Sequence, residues 1–400
     1  MRFVLAGYGS RGDVEPFAAV GKEMLRRGHD VCMAVAPNML GFVESAGLAG
    51  VAFGPDSSRL LDKEHVRNRK MQNPISVMVE GMDHLTRLWA GWRTTLTALA
   101  DGADLVLTGR PEQRFAANVA EYRGIPLAVL DFFPNEHWRP GGLGRLIEQM
   151  AKETEDAQRR ELGLPEANGA STSLEIQAHD ELCFPGLAAE SAEHGELRPF
   201  RPFVGALTLE LPTDADDEVL SWIAAGTAPI YFGFGSAMRV ETDVTVATIS
   251  AACAQLGERA LICSGLSDFS HIPHSGHVKV VREVKHAAVF PACRAVVHHG
   301  GAGTTAAGMR AGIPTLILWL PVADQPIWAA VVERLEVGFG REFSTTTAES
   351  LIADLRMILA PEYAARARKV ATQMTKPAES VISAADLLED AVRLDRSGDR

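Results

Sequence analysis

Residues 294–305 read Arg-Ala-Val-Val-His-His-Gly-Gly-Ala-Gly-Thr-Thr, and this order of residue types decides the fold. A short apolar run of strand length is followed by a glycine-rich loop and then by residues that can begin a helix. Unpaired backbone N–H groups at such a helix start, together with the helix dipole, form an anion-binding site. His299 could donate a ring N–H to a phosphate, whereas His298 points to the opposite face of the strand and is expected to be structural. Thr304 and Thr305 could alternatively cap the helix.

The rest of the chain repeats the same alternation of strand and helix. Residues 2–7, 14–27 and 31–36 predict a strand, a helix and a second strand at the beginning of a parallel sheet. A proline-rich segment at 198–205 and an acidic stretch at 214–218, which should open a helix, place a linker near 198–213; residues 229–234 then restart the alternation. Two helices are expected to close the chain. The fold class is therefore α/β, with two units in tandem and a ligand site in the cleft between them.

Composition narrows the class of protein. The chain has 400 residues, of which 46% are hydrophobic and 22% charged, and a formal net charge of −12. These totals fit two globular domains and disfavour a nucleic-acid partner, which calls for a basic surface. The five cysteines are widely spaced and odd in number, so we expect buried thiols in a cytoplasmic protein and no disulfide or zinc scaffold. The longest apolar run, 313–323, is too short to span a bilayer.

A second glycine-rich motif, Gly-Tyr-Gly-Ser-Arg-Gly-Asp at 7–13, directly follows the first predicted strand. It matches the dinucleotide fingerprint, but residues 36–38 at the end of the second strand lack the acid that would hold a ribose. We therefore interpret the motif as a loop at the mouth of the cleft. In this interpretation Ser10 and Arg11 meet phosphate oxygens, and Asp13 faces an acceptor from the beginning of a helix.

Two further short motifs follow strands in the second unit. Gly233-Phe-Gly-Ser236 places small residues where a backbone can approach a ligand closely. An ordinary strand-to-helix turn without a ligand could have the same sequence. Asp324-Gln325 offers a carboxylate and an amide, a pair suited to neighbouring sugar hydroxyls; capping of a helix by Asp324 is the structural alternative.

Together these motifs resemble the inverting GT-B glycosyltransferases, in particular the bacterial branch that glycosylates antibiotics, glycolipids and sterols. The resemblance extends over nearly the whole chain. It rests on residues 9–16 (Gly-Ser-Arg-Gly-Asp-Val-Glu-Pro), 160–165 (Arg-Glu-Leu-Gly-Leu-Pro), 204–205, 234–236, 298–305 and 324–325.

The resemblance implies two Rossmann-like domains facing each other across a cleft. It implies an acceptor domain at 1–205, a nucleotide-sugar domain at 206–375, and a C-terminal helix at 376–400 that returns to the first domain. The activity implied is inverting transfer of a sugar from a dTDP- or UDP-sugar to a hydroxyl of a polyketide, glycopeptide, glycolipid or sterol. The nucleotide sugar is a co-substrate, and no metal or other cofactor is implied.

The resemblance also assigns site residues. Asp13 matches the base that deprotonates the acceptor. The donor-site residues it implies are Ser10, Arg11, Gly12, Ser236, Val284, His299, Gly301, Ala302, Gly303, Thr304, Asp324 and Gln325. The acceptor pocket is expected to include aromatic residues of the N-terminal domain and of the loop at 131–142, namely Trp89, Phe132, Phe133 and Trp138.

Many plant and macrolide-resistance relatives have a histidine where Asp13 stands, paired with a second carboxylate; the glycopeptide branch has a lone Asp there, and the same is expected here. An unperturbed Asp is a weak base, with a pKa of about 4, so partial burial is needed to raise it. Two alternatives remain open at this stage. One is a nucleotide-sugar epimerase or dinucleotide oxidoreductase, and the other is a non-catalytic partner of another transferase.

Overall fold

The computed structural model describes residues 1–58, 74–132, 142–166, 174–187, 200–209, 211, 213, 215–235, 242–265, 276–320 and 324–398. The chain divides into two compact units. Unit 1 comprises Met1–Glu181, Pro185–Leu209 and Pro377–Arg400, and unit 2 comprises Leu182–Phe184 and Glu210–Lys376.

Unit 1 is built on a parallel sheet of six strands in the order β3-β2-β1-β4-β5-β6. Its strands are β1 (Arg2–Gly7), β2 (Asp30–Val35), β3 (Ala49–Ala52), β4 (Leu105–Gly109), β5 (Leu127–Asp131) and β6 (Leu174–Gln177). The helices described in it are α1 (Arg11–Arg26), α2 (Leu40–Ser45), α3 (Pro74–Leu99), α4 (Gln113–Arg123), α5 (Gly142–Leu162) and the C-terminal helix, Pro377–Ser397.

Unit 2 repeats this plan with the order β12-β11-β10-β7-β8-β9. Its strands are β7 (Ile230–Gly233), β8 (Ala260–Cys263), β9 (Val278–Val281), β10 (Ala295–His298), β11 (Thr315–Trp319) and β12 (Gly338–Glu342). The helices described in it are α6 (Asp216–Ala224), α7 (Thr242–Leu256), α8 (His286–Val289), α9 (Ala302–Ala311), α10 (Gln325–Arg334), α11 (Ala348–Ile358) and α12 (Pro361–Ala371). The C-terminal helix is then α13.

The central strands of both sheets are continuous apolar runs because helices cover both faces of a parallel sheet. Every residue of β4, β5 and β7 is buried, and so is every residue of β10, including His298. The largest side chains in the core of unit 1 include Phe53 and Trp92, whose rings stack 5.5 Å apart. This packing fixes the strand ends from which the loops of the site depart.

Each sheet has the strand order 3-2-1-4-5-6 within its own unit, which is the dinucleotide-fold order. The order reverses between β1 and β4 in unit 1 and between β7 and β10 in unit 2. Ligands of open parallel sheets bind outside the carboxyl ends of the strands at this reversal. The topology therefore predicts ligand sites at the turns after β1 and β4 and at the turns after β7 and β10.

The C-terminal helix α13 belongs to unit 1 and packs on α1. Arg27, at the end of α1, pairs with Asp386 at 2.7 Å, and Nε2 of His29 lies 2.8 Å from Oε1 of Glu389. Arg396 also pairs with Asp104. The predicted fold class, two Rossmann-like α/β units with a C-terminal helix returning to the first, is confirmed.

The expectation that two helices close the chain is corrected. Three helices rather than two follow residue 335, and the strand β12 precedes them. The sequence of β12, Gly-Phe-Gly-Arg-Glu, has only one apolar side chain besides its glycines, so it predicts a strand only weakly. Its strand conformation is stabilised by pairing with β11. In the part of the chain that the structure describes, no helix is both long and apolar enough to cross a membrane.

Candidate active site

Asp13 lies in the first turn of α1, immediately after the carboxyl end of β1. Oδ2 of Asp13 accepts hydrogen bonds from the backbone N–H of Ser10 at 2.6 Å and from Ser10 Oγ at 2.9 Å. Burial raises the pKa of Asp13, and the hydrogen bonds from Ser10 oppose that rise. A carboxylate held in one orientation, with a raised pKa, meets the requirements for accepting a proton from a substrate hydroxyl.

The neighbouring residues of this turn already have structural partners. Ser10 is the residue that precedes α1, and its hydroxyl is directed to Asp13. Nε of Arg11 pairs with Oε2 of Glu15 at 3.0 Å, and its guanidinium lies 5.0 Å from the ring centroid of Phe42. Gly12 is exposed. The turn is thus ordered by its own contacts before any ligand binds.

A second carboxyl group, that of Glu112, lies at the same reversal of strand order. It follows β4, is only 1% exposed, and its Oε1 accepts a hydrogen bond from the backbone N–H of Tyr8 at 3.2 Å. Burial, with a smaller contribution from the charge of Asp13, raises the pKa of Glu112 to about 8, although hydrogen bonds from the backbone N–H groups of Glu112, Tyr8 and Gly109 oppose the rise. A second buried carboxyl group therefore accompanies Asp13 at this reversal, which the sequence did not lead us to expect.

Asp13 and Glu112 line one small cavity of about 50 Å³. The polar and aromatic side chains around it include those of Tyr8, Asp13, Arg110, Glu112, Asp131 and Phe132. Arg110 is held by Asp131 at 3.0 Å and by Glu175 at 2.9 Å, so its charge is balanced by buried carboxylates. The two acids without an arginine partner in the cavity are then Asp13 and Glu112, so far as the described residues show.

Only one of the predicted acceptor aromatics can be placed at this cavity. Phe132 lines it and is half-buried. Trp89 is instead a core residue, 6% exposed, with its ring 5.9 Å from that of Phe115, because α3 turns this face towards the sheet. Phe133 and Trp138 lie outside the described residues.

In unit 2 the turn from β10 to α9 has the geometry of an anion site. The helix begins at Ala302, and Gly301 precedes it. Among the backbone N–H groups at the start of this helix, that of Thr305 is the first to donate to a carbonyl of the preceding turn, that of Gly301 at 3.0 Å. The N–H groups of Ala302, Gly303 and Thr304 therefore have no acceptor within the helix.

The two threonines do not cap this helix, contrary to the alternative considered above. Both lie within its first turn, and Thr305 is fully buried with its hydroxyl donated to the Gly301 carbonyl at 2.9 Å. Thr304 and Gly303 are more accessible. The helix start is thus left open to a ligand.

The two histidines have different surroundings, and the structural role predicted for His298 is confirmed. Its ring is fully buried, and Nδ1 accepts a hydrogen bond from the Gly300 N–H at 3.0 Å. His299 lies beyond the strand, and its Nδ1 is buried without a hydrogen-bond partner among the described residues. Burial lowers the pKa of His299 to about 4, with the Gly233 backbone opposing, so the imidazole is neutral at pH 7.

Glycines allow the loops to close around this histidine. A Cβ added at Gly235 would lie 2.6 Å from Cε1 of His299, and the φ of Gly235 is +67°. A Cβ at Gly300 would lie 3.1 Å from the carbonyl oxygen of Gln325. The structure therefore brings the turns after β7, β10 and β11 together, as their shared edge of the sheet requires.

Substitution of Gly235 by Ala tests this close approach. A side chain at positive φ costs roughly 1–2 kcal/mol, and the new methyl group would also displace the His299 ring. Gly257→Ala is the matched control, because Gly257 has φ +68° and nothing within 4 Å of its added Cβ. We expect similar backbone strain in both variants but a fall in nucleoside diphosphate affinity of at least about tenfold in Gly235→Ala alone, measured by calorimetry. Equal affinities in the two variants would contradict this account of Gly235.

The remaining predicted donor residues have mixed placements. Gln325 is 6% exposed, and its Oε1 accepts from the Leu320 N–H at 2.8 Å. Asp324 directly precedes α10, but its Oδ2 accepts from the indole N–H of Trp328 at 3.1 Å and makes no cap hydrogen bond. The Val284 side chain packs in the core after β9, and Ser236 lies outside the described residues.

Glu112 is the site residue that sequence reasoning missed. In the sequence alone, Glu112 indicates only the beginning of a helix. A carboxylate that follows a buried strand by three positions was a usable signal, but its meaning depends on β4 pairing with β1. That pairing joins residues about a hundred positions apart.

Comparison with known proteins agrees with the class that this fold and these turns define. Residues 3–104 match the glycosyltransferase family 28 N-terminal domain, and residues 249–387 match the erythromycin biosynthesis protein CIII-like C-terminal domain. An uncharacterized glycosyltransferase of Mycobacterium tuberculosis (strain ATCC 25618 / H37Rv) is 59% identical, over 98% of this chain and 99% of that protein. The vancomycin aglycone glucosyltransferase of Amycolatopsis orientalis is 30% identical, over 98% of each chain.

Solved structures add the fold. Glycosyltransferase VinC in complex with dTDP is similar with a TM-score of 0.70 and 18% identity, over 99% of this chain and 100% of that one. The chain belongs to the GT-B glycosyltransferases of the family 28 and erythromycin CIII-like type, and it is related to the glycopeptide and antibiotic glycosyltransferases.

Proposed function

We propose that this glycosyltransferase moves a sugar, with inversion at the anomeric carbon, from a dTDP- or UDP-sugar to a hydroxyl of an apolar acceptor. The acceptor belongs to the polyketide, glycopeptide, glycolipid or sterol type. Unit 1 binds the acceptor, and unit 2 binds the nucleotide sugar. The acceptor O–H bond breaks as its oxygen bonds to the anomeric carbon, and the nucleoside diphosphate leaves with the electron pair of the old bond.

The observation that carries this proposal is the β10–α9 turn. Three N–H groups without helical acceptors begin α9, and the His299 ring lies against Gly301, the residue that precedes this helix, with its Nδ1 unpartnered among the described residues. Such fixed donors stabilise the negative charge that grows on a departing diphosphate, and they need no reorganisation during the reaction. In this proposal they take over the charge neutralisation that a metal ion provides in other transferases.

The nucleotide assignment is supported by two properties of similar proteins. VinC, which shares the fold, was solved with dTDP, and the vancomycin aglycone enzyme is named as a glucosyltransferase. Val284 offers its backbone to the pyrimidine, and Ser10, Arg11, Gly12 and Ser236 are assigned to the phosphates. Asp324 and Gln325 are assigned to the donor sugar, where Asp324 has an accessible edge.

The acceptor side of the proposal rests on Asp13. Its carboxylate takes the hydroxyl proton as the new glycosidic bond forms. The cavity beside it is lined by Phe17 and Phe132, which favours an apolar acceptor. The other aromatic residues of the 131–142 loop are assigned to the same pocket.

A thermal-shift titration tests the donor half of this proposal. At a ligand concentration of 100 Kd, binding adds about 2.7 kcal/mol to the free energy of unfolding, which corresponds to a rise in Tm of roughly 5 °C. We expect this rise with dTDP or UDP and a much smaller one with ADP, the matched purine control. Absence of a shift with every nucleoside diphosphate would contradict the proposal. Mass spectrometry with the stabilising donor and a panel of acceptors then identifies the transferred sugar.

A further inference from the structure

We infer that Asp13 and Glu112 form a carboxyl pair that shares a single proton, with Glu112 as the neutral acid and Asp13 as the ionised base. The inference rests on the proposed transferase function for its catalytic meaning, but the shared proton itself can be tested without turnover. Glu112 is a positioning residue in this scheme, because it acts on the acceptor through Asp13.

Topology is the first support for the pair. Asp13 follows β1 and Glu112 follows β4, and these strands are hydrogen-bonded neighbours at the reversal of strand order in unit 1. Both carboxyl groups line the same cavity. The Tyr8 N–H that Glu112 accepts belongs to the turn that ends in Asp13, so Glu112 is tied to that turn directly.

The charges around the cavity are the second support. Its titratable and charged groups are Tyr8, Asp13, Arg110, Glu112 and Asp131. Arg110 is engaged by Asp131 and Glu175, which leaves Asp13 and Glu112 without an arginine partner among the described residues of the cavity. Burial and the charge of Asp56 raise the pKa of Tyr8 to about 12, so the Tyr8 hydroxyl stays protonated. Two carboxylates in one such site cannot both ionise readily.

The proton is assigned to Glu112 for two reasons. Glu112 is 1% exposed whereas Asp13 retains contact with solvent, so ionisation of Glu112 involves the greater loss of hydration. Asp13 receives two hydrogen bonds from Ser10 and lies in the first turn of α1, where the helix dipole favours a negative charge.

This arrangement has a chemical consequence for the transfer. At neutral pH the pair carries one negative charge, on the group that must accept the proton. When the acceptor hydroxyl gives its proton to Asp13, the O–H electron pair goes into the new bond to the anomeric carbon. The carboxyl pair then becomes uncharged. Removing a charge from a poorly hydrated cavity favours this step, so Asp13 is a stronger base here than an exposed Asp.

The experiment is an infrared and denaturation comparison of the wild type with Glu112→Gln. We expect the wild type at pH 7 to show the carbonyl band of a protonated carboxylic acid, and this band to be lost in Glu112→Gln. Glu175→Gln is the matched control: it removes another buried glutamate of unit 1, one that is paired with Arg110 and Arg201, and should leave the band in place. The band persisting in Glu112→Gln would overturn the inference.

The pH dependence of stability gives a second readout. The folded-state pKa of Glu112, about 8, exceeds its ordinary value of 4.5, so its contribution is complete below pH 4.5 and is lost as pH rises towards 8. We expect the denaturant midpoint of the wild type to fall over this range more than that of Glu112→Gln. Parallel curves would contradict the inference.

Activity distinguishes this inference from the proposed function. Near pH 8 we expect an inflection in kcat/KM of the wild type as Glu112 ionises, because a second negative charge strengthens Asp13 as a base, and this inflection should be absent in Glu112→Gln. If no sugar is transferred by the wild type, the proposed function fails while the infrared band still decides whether the proton is shared. If transfer occurs but the two pH profiles coincide, the function stands and the pair is refuted.

Discussion

Asp13→Asn is expected to lower kcat by roughly 10²–10⁴-fold, the usual contribution of a positioned general base. The amide keeps the size of the carboxylate and can still accept the Ser10 N–H, so the turn before α1 should persist. What it loses is the ability to take the acceptor's proton. Initial rates with saturating donor and acceptor measure the effect on the chemical step.

The control for this variant is Asp104→Asn. Asp104 also accepts a backbone N–H, that of Arg2 at 2.7 Å, but it precedes β4 at the amino end of the strands. Its substitution should cost stability, because it also weakens the pair with Arg396, and should leave kcat near that of the wild type. If Asp13→Asn retained a rate within a few-fold of the wild type, Asp13 would orient the acceptor and would not serve as its base.

His299→Ala is expected to lower kcat by roughly 10²–10³-fold, as loss of one donor to a developing anion does in other enzymes. It should also reduce the rise in Tm produced by dTDP or UDP. The ring of His299 is neutral in the free protein, since its pKa is lowered to about 4. A bound diphosphate opposes that lowering, so proton uptake accompanies binding and donor affinity should strengthen as pH falls below 7.

His277→Ala provides the comparison for His299→Ala. His277 is a half-buried histidine of the same unit, bonded to Ser250, and it precedes β9 at the amino end of the sheet. Its loss should leave nucleotide affinity and its pH dependence unchanged. An unaltered nucleotide shift in His299→Ala, with or without an effect on kcat, would remove His299 from the diphosphate site.

The sequence was most informative where local residue order alone determines structure. Runs such as 2–7 and 295–298 have the apolar character of strands buried on both faces, and the glycine-rich loops after them mark the turns. The resemblance to known transferases then linked turns that lie far apart in the chain. The sequence alone therefore predicts that both candidate sites lie in turns at the carboxyl ends of strands.

What the sequence did not reveal depends on pairing between distant segments. The strand β6 and the strand β12 have few signals of their own and are completed by β5 and β11. Trp89 reads equally well as a pocket or core residue until the face of α3 is known. Glu112 is recognised as a neighbour of the β1 turn only once β4 is known to pair with β1. Its protonation depends on its burial, which the residues around it in the sequence do not predict.

The return of α13 to unit 1 also sets an order of events during synthesis. Arg27 and Asp386, which pair at 2.7 Å, are separated by 359 positions, so unit 1 cannot acquire α13 until the ribosome has synthesised the chain beyond Asp386. By then every residue of unit 2, which ends at Lys376, has been made. Unit 2 can therefore complete its fold before unit 1 does. Until α13 has been synthesised, the face of α1 that α13 covers stays exposed, and α1 is the helix that carries Asp13.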